Sequence, residues 1–281
     1  MKEDNRIAVV IVLYNPSQED VAFLVSELAA NNVFVVDNSP RPLMFDDRLG
    51  VKYLYNDRNL GIAEAQNRVL VQVLQGGYDH VVFLDQDSRI GSGYVRSIVS
   101  EFIRIDDGSL AALGPLVVNK DSGERYKPVF HRYGFDSNSF SHRAHIISSG
   151  SCVSLKALRD IGLMDSSLFI DYVDFEWCWR AAAKGYKCGI TASLSITHRV
   201  GIREFSFFGY RVVVSSSQRY FYQYRNYLWL VRKKYVPLQW KIATGVKFAL
   251  RLVYFPLFVD GGWQCWQYMI KGIKEGIWKR K

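Results

Sequence analysis

The stretch Val81-Val82-Phe83-Leu84-Asp85-Gln86-Asp87-Ser88 decides how this chain is read. Four apolar residues in a row, two of them β-branched, predict a short buried strand, and that strand stops on a carboxylate. The same grammar recurs upstream. Ile7–Leu13 is an apolar run rich in Val and Ile that gives way to Tyr14-Asn15-Pro16. Val33–Val36 gives way to Asp37-Asn38-Ser39-Pro40, a turn cluster. Helical patterns lie between the runs. Ser17, with Asp20 three positions on, is close to a capping box and opens a helix toward Ala30. Ile62, Ala65, Val69, Val73 and Leu74 fall at helical spacing after Asn59-Leu60-Gly61, and Tyr53–Tyr55 supplies a further strand. Alternation of this kind predicts an α/β fold with a mixed, mostly parallel sheet flanked by helices.

Downstream the pattern loosens. Leu113–Val118, Ile146–Leu155 and Ser193–His198 read as strands, and Asp174–Lys184 reads as a helix closed by Gly185. Residues 119–143 are polar and aromatic with turn residues, and read as a loop. Beyond Gly201 the texture becomes aromatic and basic, with helices expected over Val212–Lys234 and Lys241–Val259. The reading divides the 281 residues into an α/β unit over 1–201 and a helical extension over 202–281.

The charge divides at the same place. From Gly201 to Lys281 there are 15 Lys/Arg against 3 Asp/Glu, a net of +12 within a chain total of +9. The first 200 residues therefore carry 21 against 24, a net of −3. A uniformly basic nucleic-acid binder does not look like this, and nucleic acid is not an expected partner. Cys152, Cys178, Cys188 and Cys265 lack zinc-type spacing and read as packing residues in a reducing cytoplasm. Met1 is followed by Lys2-Glu3-Asp4-Asn5 and only seven apolar residues, unlike a secretory leader. Ile242–Val259 comes closest to a membrane span, but Lys247 and Arg251 interrupt it.

In a doubly wound sheet, ligands bind beyond the C-terminal ends of the strands. Three polar segments fall there: Tyr14-Asn15-Pro16, Asp37-Asn38-Ser39 and Asp85-Gln86-Asp87-Ser88. An extended Asp85-x-Asp87 presents two carboxylates on one side. Two hard oxygen ligands suit Mg²⁺ or Mn²⁺, which take phosphate oxygens and water as remaining ligands. Turn capping explains either residue alone; their place at the end of an apolar strand favours the metal. Asp37 can accept from the N3–H of a pyrimidine and Asn38 can reach ribose or diphosphate, although Asp and Asn also favour plain turns. Gly61, Ala65 and Asn67 put small residues and a helix N-terminus where a nucleotide can approach, with simple helix capping as the competing account.

A second cluster runs Phe169-Ile170-Asp171-Tyr172-Val173-Asp174-Phe175-Glu176-Trp177-Cys178-Trp179-Arg180. Asp174 and Glu176 lie two apart at a helix start and cannot share a helical face. One should point to a cleft, as a base able to take a proton from a hydroxyl, and the other should favour the helix N-terminus. His198, between an apolar strand and Arg199-Val200-Gly201, is a candidate third metal ligand or diphosphate donor.

Taken as a set, these residues resemble the family 2 glycosyltransferases of the GT-A fold. The resemblance runs through Val-Leu-Tyr-Asn-Pro (12–16), Val-Val-Asp-Asn-Ser (35–39), Asn-Leu-Gly-Ile-Ala (59–63), Leu-Asp-Gln-Asp-Ser (84–88), Gly150 in Ser-Ser-Gly-Ser, Asp174–Arg180 and His198-x-x-Gly201. The Asp85-Gln86-Asp87 form and the Asp171–Arg180 segment look most like bacterial rhamnosyltransferases that use dTDP-L-rhamnose in surface polysaccharide synthesis. The resemblance implies a donor site of Tyr14, Asn15, Asp37, Asn38, Gly61, Ala65, Asn67, Asp85 and Gln86. It implies a metal on Asp85, Asp87 and His198, Asp174 as catalytic base, and acceptor contacts from Gly150, Asp171, Glu176 and Trp177. Many relatives carry Glu-Asp where this chain has Val173-Asp174, which leaves Asp171 and Glu176 as rival bases. An inverting, single-displacement reaction is implied as well. So is an acceptor that is a saccharide or is held on a polyprenyl diphosphate at the inner leaflet.

The basic, aromatic tail suits an interfacial helix on an anionic membrane, which would make the protein peripheral on the cytoplasmic face. A solvated face over an apolar homodimer contact is the alternative. A sugar-phosphate nucleotidyltransferase shares the sheet and the metal but would open with a Gly-rich loop, absent after Leu13-Tyr14-Asn15-Pro16. A dehydrogenase lacks its G-x-G-x-x-G. A non-enzymatic membrane-binding module leaves Asp37, Asp85, Asp87 and Asp174 unexplained.

Overall fold

The computed structural model describes residues 6–28, 32–44, 50–119, 134–198, 203–207 and 210–279. In chain order the elements are β1 (Ile7–Leu13), α1 (Gln18–Leu28), β2 (Asn32–Asp37), β3 (Lys52–Tyr55), α2 (Gly61–Gln75), β4 (His80–Asp85), α3 (Tyr94–Ile105) and β5 (Leu110–Asn119). There follow β6 (Phe140–His142), β7 (Cys152–Ser154), α4 (Leu155–Ile161), a 3-10 turn (Ser166–Leu168), α5 (Val173–Ala183) and β8 (Lys187–His198). The last are β9 (Arg203–Phe207), β10 (Tyr210–Val214), α6 (Ser217–Leu230), α7 (Leu238–Phe258) and α8 (Gly262–Trp278).

One sheet of eight strands, in the order β3-β2-β1-β4-β7-β5-β8-β6, forms the middle layer. β3, β2, β1 and β4 are mutually parallel, as the alternating runs predict. β7 joins antiparallel between β4 and β5, and β6 closes the far edge antiparallel to β8. Both faces are covered, which is why β1 is apolar throughout rather than alternating. One face packs against α2, α4 and α5 through residues such as Val69, Leu158 and Trp177. The other packs against α1 and α3 through Leu24, Ile98 and Phe102.

Several expectations change in detail. Of the strand expected over Ile146–Leu155, Cys152–Ser154 forms β7; Gly150 N and Ser151 O still bond Phe83 of β4, but Ser151 N turns back to Ser148 O and Gly150 takes φ +73, which ends the strand. The helix expected over Val212–Lys234 begins later: the β-branched Val212-Val213-Val214 belongs to the β9–β10 hairpin, and α6 starts at Ser217. Residues 140–142 of the expected loop are strand β6, and 120–133 lie outside the described residues. Helix α3, whose Tyr94, Val95, Ile98, Val99 and Phe102 fall at helical spacing, and α8 were not anticipated.

The segment after 201 does not stand apart. Trp229, Leu230 and Val236 join the same core as α2 and α5, while Tyr220, Tyr224, Phe248, Phe255 and Met269 form a smaller core among α6, α7 and α8. Among the described residues no helix is long and apolar enough to cross a membrane.

Candidate active site

Because β1, β2 and β4 are parallel neighbours, their C-terminal ends open together. The register pairs Leu13 with Asp37 and Val12 with Asp85. Backbone-to-side-chain bonds then tie the three departing loops. Tyr14 N donates to Gln86 Oε1 and Asn15 N to Ser39 Oγ, both at 2.8 Å. Asn38 is buried and donates to Gly61 O at 3.1 Å, while its Oδ1 accepts from Asn56 at 2.8 Å.

After Asp85 the chain turns rather than running extended. Ser88 N donates to Asp85 O at 3.0 Å, and Ser88 Oγ accepts from Asp85 N at 2.9 Å. The expected pair on one side of a strand is thus a pair on a Ser-closed turn. Both carboxylates still line one cavity of about 910 Å³, at the large end of the roughly 300–1,000 Å³ typical of small-molecule sites. Tyr14, Asn38, Gly61 and Gln86 share that wall. The rest of the lining includes the 146–149 turn, the Phe169–Phe175 segment and Arg219 of α6.

Asp174 projects from the first turn of α5 into this cavity. Its Oδ2 accepts from Ser148 N at 3.1 Å and its Oδ1 from Phe175 N at 2.9 Å. Burial pushes its carboxyl up to about 7, the charge of Asp85 adds to the rise, and the two backbone N–H groups oppose it. Glu176, two residues on, points away. It is 1% exposed and accepts from Arg180 Nε and the Tyr235 hydroxyl, each at 2.7 Å. The acids point apart, but Glu176, expected at the helix N-terminus or the acceptor, is instead spent on Arg180 and Tyr235, and it is Asp174 that accepts from a first-turn N–H.

Asp171 also lines the cavity, where Arg219 Nη2 donates to its Oδ1 at 2.5 Å. Burial works against the Arg219 charge, but Asp171 outweighs it and Asp85 adds in the same sense. The segment that presents Asp171 is unusual: Phe169, Asp171 and Tyr172 take φ of 64, 65 and 67°. Backbone in this left-handed region is costly for such residues and persists only when held. Here α6 holds it. Asn226, fully buried, sets its Nδ2 within 3.1 Å of the carbonyls of Leu168, Ile170 and Asp171. Arg225 Nη2 reaches those of Ser167 and Leu168 at 2.8 and 3.0 Å. From the other side Ile62 N donates to Phe169 O at 2.7 Å.

Several residues expected at the site have other partners. Asp37 is fully buried: its Oδ1 accepts from Ser39 N, and its Oδ2 from the Tyr53 hydroxyl at 2.6 Å and Leu43 N. Ala65 faces the core. Asn67 ties α2 to Met164 and Ser166. The α2 N-terminus, expected to be open to a nucleotide, is occupied by the Phe169 carbonyl. Gly150 lies off the cavity, where an added Cβ would fall 2.8 Å from the Tyr94 hydroxyl. Trp177 is buried with Nε1 donating to Gly162 O. His198 ends β8, and its side chain lies outside the described residues.

Among the described residues no three His, Cys, Asp or Glu side chains gather as a complete metal cage. Asp85 and Asp87 are two hard oxygen donors at the mouth of a cavity able to admit a diphosphate. That set fits Mg²⁺ or Mn²⁺ with ligand oxygens and water completing the shell. Arg219 and Asn226 went unnoticed in the sequence, because the basic tail reads as a surface while these two side chains turn inward.

The sequence model of glycosyl transferase family group 2 matches residues 80–270. The dTDP-rhamnosyl transferase RfbF of Shigella flexneri is 31% identical over 260 residues, 86% of either protein. Among solved structures, S. aureus TarS 1-349 in complex with UDP-GlcNAc superposes with a TM-score of 0.55 at 15% identity, covering 97% of this chain and 80% of that one. GalNAc-T7 with UDP, GalNAc and Mn²⁺ gives 0.54 at 13%, covering 99% of this chain and 56% of that one. At such identities these likenesses speak for the fold, which is GT-A. The family match spans well over half of the chain, and the chain belongs to glycosyl transferase family group 2 as a glycosyltransferase.

Proposed function

We propose that this enzyme transfers L-rhamnose from dTDP-rhamnose, with inversion, onto a hydroxyl of a saccharide or polyprenyl-diphosphate-linked acceptor in bacterial surface polysaccharide synthesis. The observation that carries the reading is Asp174, which lines the same cavity as Asp85 and Asp87 and is held there by Ser148 N and Phe175 N, with burial pushing its carboxyl up to about 7. A base tuned near neutrality suits removal of a proton from a sugar hydroxyl as its oxygen attacks. The new bond forms at the anomeric carbon while the bond to the diphosphate oxygen breaks. The proton goes to Asp174 and the electron pair leaves with the diphosphate.

Asp85 and Asp87 would hold Mg²⁺ or Mn²⁺, which supplies Lewis-acid neutralisation of charge on the departing diphosphate. Arg219, already charged and facing Asp85, adds a fixed guanidinium on the same side. The donor choice rests on the likeness to RfbF. Asn38 and Gly61 line the shelf for the nucleoside. Asp37, buried, holds the turn that follows Asn38 through Ser39 N and Leu43 N.

Turnover with a panel of dTDP-, UDP- and GDP-sugars tests the reading, with Asp85→Ala and Asp174→Ala as controls. The expected result is transfer from dTDP-rhamnose with the anomeric configuration inverted, lost in both variants. Retention of configuration, or turnover only with another donor, overturns it.

A further inference from the structure

Helix α7 carries an apolar stripe that is mostly exposed among the described residues. Leu238, Ile242, Val246, Leu250, Val253 and Leu257 recur at intervals of three or four, so they share one face. Each is 56–69% exposed. The opposite face is spent inside the protein: Thr244, Phe248 and Phe255 are buried against α6 and α8. A stripe over a 21-residue helix is about 31 Å long at 1.5 Å per residue. Contiguous exposed apolar area of that length marks an interaction surface.

Charge decides between occupants. α7 has no acid, and Lys247 is its exposed cation, while Lys241 donates to Lys233 O and Arg251 turns inward to Gln223 and the rings of Tyr220, Phe248 and Phe255. Arg232, Lys233 and Lys234 precede it. Next to it, Glu275 of α8 is paired with Lys279 at 2.7 Å. Asp260, exposed just beyond α7, is the acid nearest its end, so a second copy packed stripe to stripe would double the excess of Arg232, Lys233, Lys234 and Lys247 over it rather than neutralise it. An anionic lipid surface answers both features, because the stripe enters the acyl boundary while the exposed Arg232, Lys234 and Lys247 stay among headgroups. Exposed Phe258 and Trp263 flank the turn from α7 to α8, and aromatic side chains favour that boundary. No described helix is able to cross the bilayer, so the helix lies along the surface.

We infer that the exposed face of α7 docks this protein on an anionic bilayer, with the helix axis in the plane of the membrane. The surface does not depend on which sugar is transferred. Flotation of the full chain with phosphatidylcholine vesicles, with and without phosphatidylglycerol, tests it. Binding is expected only with the anionic lipid, and the double variant Val246→Glu/Val253→Glu is expected to bind at least about tenfold more weakly. Its melting temperature and its stabilisation by dTDP with Mn²⁺ should match the parent, which separates loss of docking from loss of folding or of the donor site. Failure of the parent chain to float overturns the inference. So does equal binding to neutral vesicles. So does light scattering that finds a dimer which the same double variant splits, since the stripe would then belong to a second copy.

Discussion

Asp174 stands in an environment that favours its protonated form, which has consequences for stability as well as for chemistry. Its folded pKa, near 7, lies above the ordinary 3.8. Over the interval between them the folded chain keeps a proton that the unfolded chain has released. Stability contributed by that proton is complete at low pH and is lost as pH rises through the folded pKa. In chelated, metal-free protein, Asp174→Asn should therefore melt a few degrees above the parent at about pH 8, with the gap closing by about pH 4. Calorimetry across that range measures it. The same variant should lose about 10²–10⁴ in kcat, the usual contribution of a positioned base. For Arg219→Ala, loss of the guanidinium should weaken dTDP binding about tenfold, with Arg219→Lys intermediate because a point charge replaces the planar fork. Isothermal titration with dTDP and Mn²⁺ distinguishes the three proteins.

At the scale of elements, the Phe169–Tyr172 segment depends on helices from both directions. Asn226→Ala takes the buried donor from the carbonyls of Ile170 and Asp171, at about 1–3 kcal/mol for each group left unsatisfied, while Leu168 O keeps Arg225 and Ile170 N. An unfolding free energy from urea titration lowered by at least about 2 kcal/mol is expected, together with a fall in kcat as Asp171 shifts. Gly61 faces the same segment with φ +79, and an added Cβ would fall 2.5 Å from Phe169 O. Gly61→Ala should thus destabilise by about 1–3 kcal/mol, measurable in the same titration. These ties also explain what the sequence concealed. Strands β1, β2 and β4 announce themselves because apolar runs ending in polar residues are a local signal. A single Asn or Arg on α6 that reaches carbonyls more than fifty positions away has no local signature. Asp85, Asp87, Asp171 and Asp174 were legible because each sits at the end of a readable element. Asp37 and Asn67 were legible as polar residues in apposite places, but backbone donors and loop ends claimed them, and sequence spacing says nothing about that competition.

Over the whole molecule, the charge boundary near Gly201 is real in composition yet is not a boundary in packing. Trp229, Leu230 and Val236 lie in the core shared with α2 and α5. A chain ended before α6 should accordingly fail to unfold cooperatively, whereas a free-standing catalytic unit over 1–201 would melt as a single transition. Circular dichroism against temperature decides between these outcomes. The fold class was readable from alternation alone. The antiparallel insertion of β7 between β4 and β5 was not, because three residues, Cys152–Ser154, carry no periodicity and pair with strands far from them in sequence.

The tie between Asn226 and the Asp171 carbonyl spans 55 positions of chain. During synthesis the ribosome delivers the sheet, the acidic turn and Asp174 well before the side chain that braces the segment between them. A nascent chain stalled at that stage would own every reactive carboxylate and still lack a shaped pocket. The bracing of that loop arrives late in translation, when α6 emerges.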